Sequence, residues 1–351
     1  MGCVPRGDFA LFRSFQATHT RGTSAERHSY VSLFTFYVLM LRYTAKRLLA
    51  LIPILIFTSF VTFELVRLTP GDPALIMVGG RRTSPEVLQN IRQKYALDRD
   101  PISQYFFWVG NALRGNLGES FRLKQNVSNL ILARLPLTLK LITLSVIIST
   151  LLAIPLGILS ALYKNSWIDY TSSLVGLVGV SSPVFFTGVV AVLVFGYWLS
   201  WLPAFGAGKG FWDELYHLIL PSSVLALSML ALTARMTRSA MLEVLGSDYI
   251  EAARAKGLPT STIVIKHALR NALIPVVTVA SLQMGFLLVG SVLVEFTFGL
   301  GGLGSLITDG IQNRDYPIVQ GTVLFLVVMF ALLNLATDLL YAAIDPRIRY
   351  S

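Results

Sequence analysis

Charge is scarce in this chain, and cysteine is all but missing. Only 14% of the residues are Asp, Glu, Lys or Arg against 54% hydrophobic, and the mean hydropathy is +0.64. That balance excludes an ordinary soluble domain, whose surface takes about a quarter of its residues from the charged types. The single cysteine, Cys3, excludes an internal disulfide. No basic start and apolar run precede it in this sequence, so lipid attachment there is not expected. His217 and His267 flank apolar runs without partners at ligand spacing, so no metal site is expected. Catalytic sets are missing as well: there is no H-E-x-x-H, no Ser/His/Asp arrangement and no pair of intramembrane aspartates. The short alternating segments of an outer-membrane barrel are also absent.

Long apolar runs are what the chain has instead. A bilayer core of about 30 Å takes roughly 20 apolar residues per helix. Residues 44–66, 137–162, 171–199, 217–234, 272–296 and 318–344 meet or approach that length. The third is long enough to tilt, and the fourth is the weakest, diluted by Pro221 and several serines. Backbone polar groups in lipid must be bonded within the segment, so the expectation is an all-α polytopic membrane protein of six transmembrane helices.

Lys and Arg near the span ends set the orientation. Arg42, Lys46 and Arg47 precede the first run, Lys164 follows the second, and Arg235, Arg238, Arg254, Lys256, Lys266 and Arg270 fill the loop after the fourth. With six spans all of these fall on one side, together with Arg347 and Arg349, which places both termini in the cytoplasm. The loop 67–134 is also basic, but long loops cross regardless of charge. The net charge of +10 thus reads as topology and contact with anionic lipid. No clustered basic face with interleaved aromatics points to nucleic acid.

Residues 1–39 are polar and Arg-rich, apart from an apolar patch at 31–41 too short to span, and are expected to be a disordered extension or, at the patch, an interfacial helix. Residues 67–134 read as an extracytoplasmic insertion of turn, two helices and turn. Ser84-Pro85-Glu86 is a helix start, Pro101 opens a second helix, and Arg114-Gly115-Asn116-Leu117-Gly118 breaks it.

The most informative segment is polar and lies between two membrane-grade runs: Ser247-Asp248-Tyr249-Ile250-Glu251-Ala252-Ala253-Arg254-Ala255-Lys256-Gly257-Leu258. Its alanines and glutamate favour helix, and Gly257 suits a helix end and the approach of a partner backbone. Tyr249, Ile250 and Leu258 offer apolar knobs to a groove, with Arg254 and Lys256 for an acidic rim.

This segment resembles the "EAA" loop of the membrane subunits of ABC importers. Further likeness narrows the group. Pro70-Gly71-Asp72-Pro73-Ala74, Leu97-Asp98-Arg99-Asp100-Pro101-Ile102, Gln104-Tyr105, Gly115-Asn116-Leu117-Gly118, the run 234–243, the run 267–275 and Asp345-Pro346-Arg347-Ile348-Arg349 are similar to B-type permeases of the dipeptide, oligopeptide and nickel group. The wider superfamily carries Ile-x-Leu-Pro where this chain has His267-Ala268-Leu269-Arg270, with the proline at Pro275, as in the peptide branch. Met40-Leu41-Arg42-Tyr43 looks like the usual start of that family, so that 40–351 forms its transmembrane domain.

The resemblance implies a type I ABC importer permease (MetI-like) fold with a small extracytoplasmic helical subdomain. It implies that the cytoplasmic loop 235–271 transmits the closure of two ATPase subunits through Tyr249, Ile250, Glu251, Ala252, Ala253, Arg254, Lys256, Gly257 and Leu258. Its partners would be a second homologous permease, two cytoplasmic ATPases and an extracytoplasmic substrate-binding protein. No cofactor is expected in this chain, ATP and magnesium belonging to the ATPases. Neither Gly206-Ala207-Gly208-Lys209-Gly210 nor Gly299-Leu300-Gly301-Gly302-Leu303-Gly304 has the context of a nucleotide loop. The second reads as a flexible extracytoplasmic loop beside the pore mouth.

Polar residues inside spans are candidate pathway groups, and equally suit bonds between helices. Glu64 and Glu295 are expected near span ends within reach of water, and Gln283, Asn334 and Asp338 deeper. Pro183, Gln283, Glu295, Gly302, Leu303 and Gly304 are the candidates for a pore or outer gate. Gly176, Gly179, Ser181 and Ser182 suit close packing beside a kink at Pro183. The cargo expected from the resemblance is a di- or oligopeptide, with nickel chelates, glutathione, opines and sugars left open. An ion- or proton-coupled secondary transporter is the alternative, and it would need charged groups near the bilayer midplane.

Overall fold

The computed structural model describes residues 44–45, 48–64, 72, 74–75, 84–94 and 97–344. The expectations placed on 1–39, on Met40-Leu41-Arg42-Tyr43 and on 345–349 lie outside them, as does the side chain of Asp338. The described elements are helical in the order α1 (Leu48–Glu64), α2 (Pro85–Lys94), α3 (Pro101–Leu113), α4 (Val127–Leu162), α5 (Trp167–Ser181), α6 (Val184–Trp198), α7 (Phe211–Leu245), α8 (Asp248–Ala255), α9 (Thr260–Thr297), α10 (Leu303–Gln312) and α11 (Tyr316–Ile344). Leu51–Ile348 forms one compact unit.

Four described helices, α4, α7, α9 and α11, are long and apolar enough to cross a membrane, and α5 with α6 makes up a fifth crossing if the pair is one span. α1 is shorter, so a six-span count rests on more than helix length. The single tilted third helix expected at 171–199 is corrected. α5 and α6 meet at an angle of 111°, because Pro183 offers no backbone donor and fixes its own φ at −59°. The fourth run is, as expected, the least apolar of the four long helices, with a mean hydropathy of 1.8 against 2.1 to 2.4 for the others. α7 runs unbroken through Pro221 for 35 residues, about 52 Å at helical rise, and contributes the largest share of the buried core.

Side-chain levels decide the sense of each helix. Lys140 pairs with Glu214 at 2.8 Å, while Gly157 lies against Ala234 and Thr237, so α4 and α7 run parallel. The chain must therefore return between them. α5 makes the first half of that return, antiparallel to α7, with Asp169 at the level of Arg238, Gly176 facing Ala231 and Gly179 facing Leu227. Gly188 at the start of α6 reaches Thr297 and Phe298. The bent pair is thus one broken span. α9 returns antiparallel to α11, with Gly285 against Phe330 and Asn334 and the Ser281 carbonyl accepting from the Thr337 hydroxyl. The bundle has two ends, named here for Glu295 and Arg238.

Outside the bundle, the two insertion helices form where their start signals lie. Val87 N–H donates to Ser84 Oγ, and Ser103 N–H donates to Asp100 Oδ2 at 3.0 Å. α3 then docks on α1 through Tyr105, whose ring meets Phe60 and Phe63 edge-on and whose hydroxyl lies 2.8 Å from Ser59 Oγ. α4 begins at Val127, ten residues before the expected span start, because Asn126 caps it, accepting from Ser128 N–H at 2.9 Å.

Candidate functional site

At the Arg238 end, α8 rises from Ser247 as the short polar helix that its composition favours. Asp248 and Glu251 fill its first turn and Arg254 its last, each on the favourable side of the helix dipole. It ends in a Schellman motif. Leu258 N–H donates to the Ala253 carbonyl at 3.3 Å and Gly257 N–H to the Arg254 carbonyl at 2.9 Å, with Gly257 at φ +75°. Nothing lies within 4 Å of where a Cβ on Gly257 would sit, so this chain leaves the space above the cap open.

The nine residues expected to couple divide into two faces. Ile250 and Ala253 point inward, and Ile250 is fully buried in a cluster with Ala161, Met241, Ile263, Val264 and Ala268. The expectation that Ile250 is a knob for a partner's groove is corrected: its apolar surface is spent on the chain's own core. Tyr249, Glu251, Ala252, Arg254, Lys256, Gly257 and Leu258 are exposed together, and the exposed run continues unbroken to Ser261. Tyr249 is steadied from behind, its hydroxyl accepting from Asn271 Nδ2 at 2.8 Å.

The segment beyond α8 is rigid rather than loose. A π-type stretch at Ile263–Ala268 runs straight into the rest of α9, so His267, Ala268, Leu269 and Arg270 lie on one continuous helix and Pro275 is absorbed within it. α8 is thereby joined through one short turn to a helix that traverses the whole bundle.

Sequence reasoning missed a second group at this end. Arg238 on α7 grips Asp169 on α5 with both forks, Nε to Oδ1 at 2.6 Å and a terminal nitrogen to Oδ2 at 2.8 Å. Ser160 on α4 donates to the same carboxylate at 2.5 Å and Asn165 N–H at 3.0 Å. Three helices are thus tied at one buried anion. The signal was present in an Asp two residues before the third apolar run and an Arg four residues after the fourth, since charges bordering spans are commonly paired.

At the Glu295 end the expectation of a water-exposed Glu295 is corrected. Glu295 is fully buried. Its Oε1 accepts from the Thr138 hydroxyl at 2.6 Å, and its Oε2 accepts from Gly304 N–H at 2.6 Å and Ser305 N–H at 3.3 Å. The side chain therefore caps α10 from a different helix, while Leu303 N–H donates to Thr138 Oγ1 at 2.9 Å. The Gly299–Gly304 turn is accordingly pinned, not flexible. Leu303 is fully buried and Leu300 N–H donates to the Glu295 carbonyl at 2.9 Å. Gly302 and Gly304 are required by space, because a Cβ at either would overlap the Glu295 carboxyl or the Val292 backbone.

The remaining candidates do not gather with these. Pro183 is exposed at the α5–α6 bend, and Gln283 is half-buried near the middle of α9. Glu64, at the end of α1, is half-buried, and Asn334 packs against Gly285 as a contact between helices. The 206–210 turn holds its own carboxylate, Lys209 N–H donating to Asp213 Oδ2 at 2.7 Å. Among the described residues no group of three or more His, Cys, Asp or Glu side chains stands ready for a metal.

Residues 153–350 match the family described as the inner membrane component of binding-protein-dependent transport systems, and residues 40–142 match the N-terminal region of that component. The chain belongs to that family.

The glutathione transport system permease protein GsiC of Escherichia coli strain K12 is 41% identical over 311 residues, covering 89% of this chain and all of the relative. GsiC of Shigella boydii serotype 4 is 40% identical over the same length. Among solved structures, an inward-facing form of the MetNI methionine ABC transporter matches with a TM-score of 0.52 and 22% identity, over 62% of this chain and 96% of that one. That likeness shows the MetI-like fold. The permease is therefore a multi-pass inner-membrane subunit of a binding-protein-dependent ABC importer, and ATP hydrolysis belongs to other subunits.

Proposed function

We propose that the permease carries a short peptide, glutathione being the first candidate, across the inner membrane by alternating access. The exposed face of α8 takes the push of one of two cytoplasmic ATPases, a second related permease completes the pore, and a substrate-binding protein docks at the Glu295 end. The observation that carries this reading is the division of α8: Ile250 and Ala253 lock it to the bundle while Glu251, Ala252, Arg254, Lys256 and Leu258 face outward on a helix joined to α9 through only a short turn. A part built to be pushed needs both a free face and a stiff connection. The peptide class is supported by the name and 41% identity of the E. coli relative.

Orientation follows the basic residues. Lys164, Arg235, Arg254, Lys256, Lys266 and Arg270 are all exposed at the Arg238 end in or beside short connections, which favours the cytoplasm for that end. With α1 as a further span, six crossings leave both termini there.

Photo-crosslinking residues placed at Glu251 and Lys256 in the assembled transporter are expected to capture an ATPase subunit, while one at Phe286, exposed midway along α9, captures none. Capture of no ATPase from either α8 position would remove the docking assignment.

A further inference from the structure

Basic residues also crowd the Glu295 end, and the rule that places Lys and Arg in the cytoplasm gives no reason for them. Two of them, Arg122 and Arg134, enter the wall of a cavity of about 190 Å³ between the turn before α4, the side of α10 and the turn into α11, and Lys124 and Arg314 are next in sequence to its lining residues. Arg122, Arg134, Leu306, Asp309, Asn313 and Asp315 line it. Arg134 meets Asp309 only at 3.7 Å, beyond hydrogen-bond reach. Arg122, Lys124 and Arg314 are exposed, and no ion pair engages any of the three among the described residues. Lys124 and Arg314 sit at φ +53° and +52°, a left-handed backbone that a non-glycine residue adopts at a cost and that holds both in tight turns.

The floor of the cavity is built, not incidental. Asp315, 1% exposed, accepts from the Ser120 hydroxyl at 2.6 Å and from Arg122 N–H at 3.1 Å through Oδ2. It thus fixes the turn that carries Arg122 to the turn that carries Arg314. Its Oδ1 is buried without a hydrogen-bond partner among the described residues, an unmet acceptor that a donor from outside would satisfy. A surface that invests a buried aspartate in fixing a turn beside a recess, sets two arginines in its wall with two further cations next to it in sequence, and leaves one acceptor open, is complementary to a protruding polar loop whose carboxylates meet the rim and whose donor reaches the floor.

We infer that this recess is the docking socket for an acidic loop of the substrate-binding protein. Arg122, Lys124, Arg134 and Arg314 pair with its carboxylates, and the Asp315 floor receives a backbone or side-chain donor. The inference rests on the orientation proposed above, which puts the Glu295 end outside. Protein is favoured over an anionic lipid headgroup because the site is concave and its floor is an acceptor, which a phosphate would meet with repulsion. Charges on a rim act chiefly on the rate of encounter and its salt dependence.

The test uses the complete transporter in nanodiscs of uncharged lipid and the purified, substrate-loaded binding protein of the same system. ATPase stimulation is titrated against binding protein at about 50 mM and 500 mM salt, where the screening length falls from roughly 14 to 4 Å. The triple change Arg122→Gln, Lys124→Gln, Arg314→Gln is expected to raise the half-stimulating concentration about tenfold at low salt and to leave little difference at high salt. Lys209→Gln, on another turn at the same end, is expected to change nothing. Glu substitutions at the three positions enlarge the loss if carboxylates are the partner. An equal half-stimulating concentration in wild type and triple variant, or an improvement with Glu, overturns the socket. A tenfold loss that persists at high salt also overturns it, pointing to a damaged fold. Wild type that binding protein never stimulates would instead overturn the proposed function beneath it. Wild type stimulated only when anionic lipid is added assigns the cations to lipid and overturns the socket as well.

Discussion

The Glu295 carboxyl occupies the space that any side chain on Gly302 would need. A residue near the end of one helix and a glycine in the turn beyond it are thereby interlocked, with Thr138 of α4 closing the arrangement as donor to the carboxyl and acceptor from Leu303 N–H. Thr138→Val keeps the shape and deletes both bonds. Leaving the buried carboxyl and amide short of partners is expected to lower stability by about 2–3 kcal/mol, read as an earlier thermal unfolding of the permease in detergent. Gly302→Ala is expected to do the same by overlap, whereas Gly301→Ala, which meets no atom within 4 Å, is expected to be mild. Equal melting for Gly301→Ala and Gly302→Ala would contradict the interlock.

Gly257 separates strain from contact. Its φ of +75° makes every L-residue there strained by about 1–2 kcal/mol, but the chain itself offers no atom for a larger side chain to strike. Gly257→Ala and Gly257→Phe are therefore expected to be alike in the stability of the isolated permease and unlike in the assembled transporter. There the phenylalanine collides with the docked ATPase and abolishes uptake. Similar uptake in both variants would mean that nothing packs over the cap.

The chain announced its class in plain terms and concealed its joints. Long apolar runs located α4, α7, α9 and α11, since hydrocarbon demands length and apolarity alone, and Ser84 with Pro85, and Pro101, placed α2 and α3 through local helix-start chemistry, the cap at Asp100 emerging only in the structure. The 111° break at Pro183 was visible only as a proline among small residues, because proline is also tolerated straight through a helix, as at Pro155 and Pro221. Site residues follow the same division. The polarity and helix propensity of 247–258 marked α8, but which residues point inward depends on Met241 and Ile263, elements that no local pattern ties to Ile250. Glu295 looked wet because its sequence neighbours end a span, and α10 folding back over it is a tertiary event.

Asp169 and Arg238 form a tie that sequence reasoning passed over. Removing one partner from a largely buried pair costs about 3–5 kcal/mol by leaving the other uncompensated. Arg238→Gln or Asp169→Asn is expected to loosen the Arg238 end by an amount of that order, with faster hydrogen exchange in α5 and the end of α4. The charge-exchanged double variant should recover part of the loss. No recovery together with unchanged exchange in the single variants would show the pair to be idle.

Acid should act on the insertion through Asp72. The Arg92 guanidinium, 2.7 Å away, holds that carboxyl below its ordinary value of 3.8. A group whose value is lowered by folding adds stability that is present above the unfolded value and is lost as pH falls through the folded one. The contact of Asp72 with the last turn of α2 is thus expected to hold between pH 6 and 4 and to loosen below about 4, with a modest effect because both partners are partly exposed. Arg92→Gln removes the acid step, which hydrogen exchange of α2 at pH 6 and pH 3 would detect. An acid response of the same size in that variant would assign it elsewhere.

Uptake by the reconstituted transporter tests the importer mechanism most directly. Proteoliposomes carrying this permease with its partner subunits are loaded with ATP or with a non-hydrolysable analogue and given binding protein charged with labelled glutathione or a short peptide, with and without an imposed proton or sodium gradient. Uptake is predicted to need hydrolysable ATP and binding protein, to ignore the gradient, and to be lost in Glu251→Arg while the complex still assembles. Uptake driven by the gradient alone, or by this chain without partners or nucleotide, would contradict that mechanism.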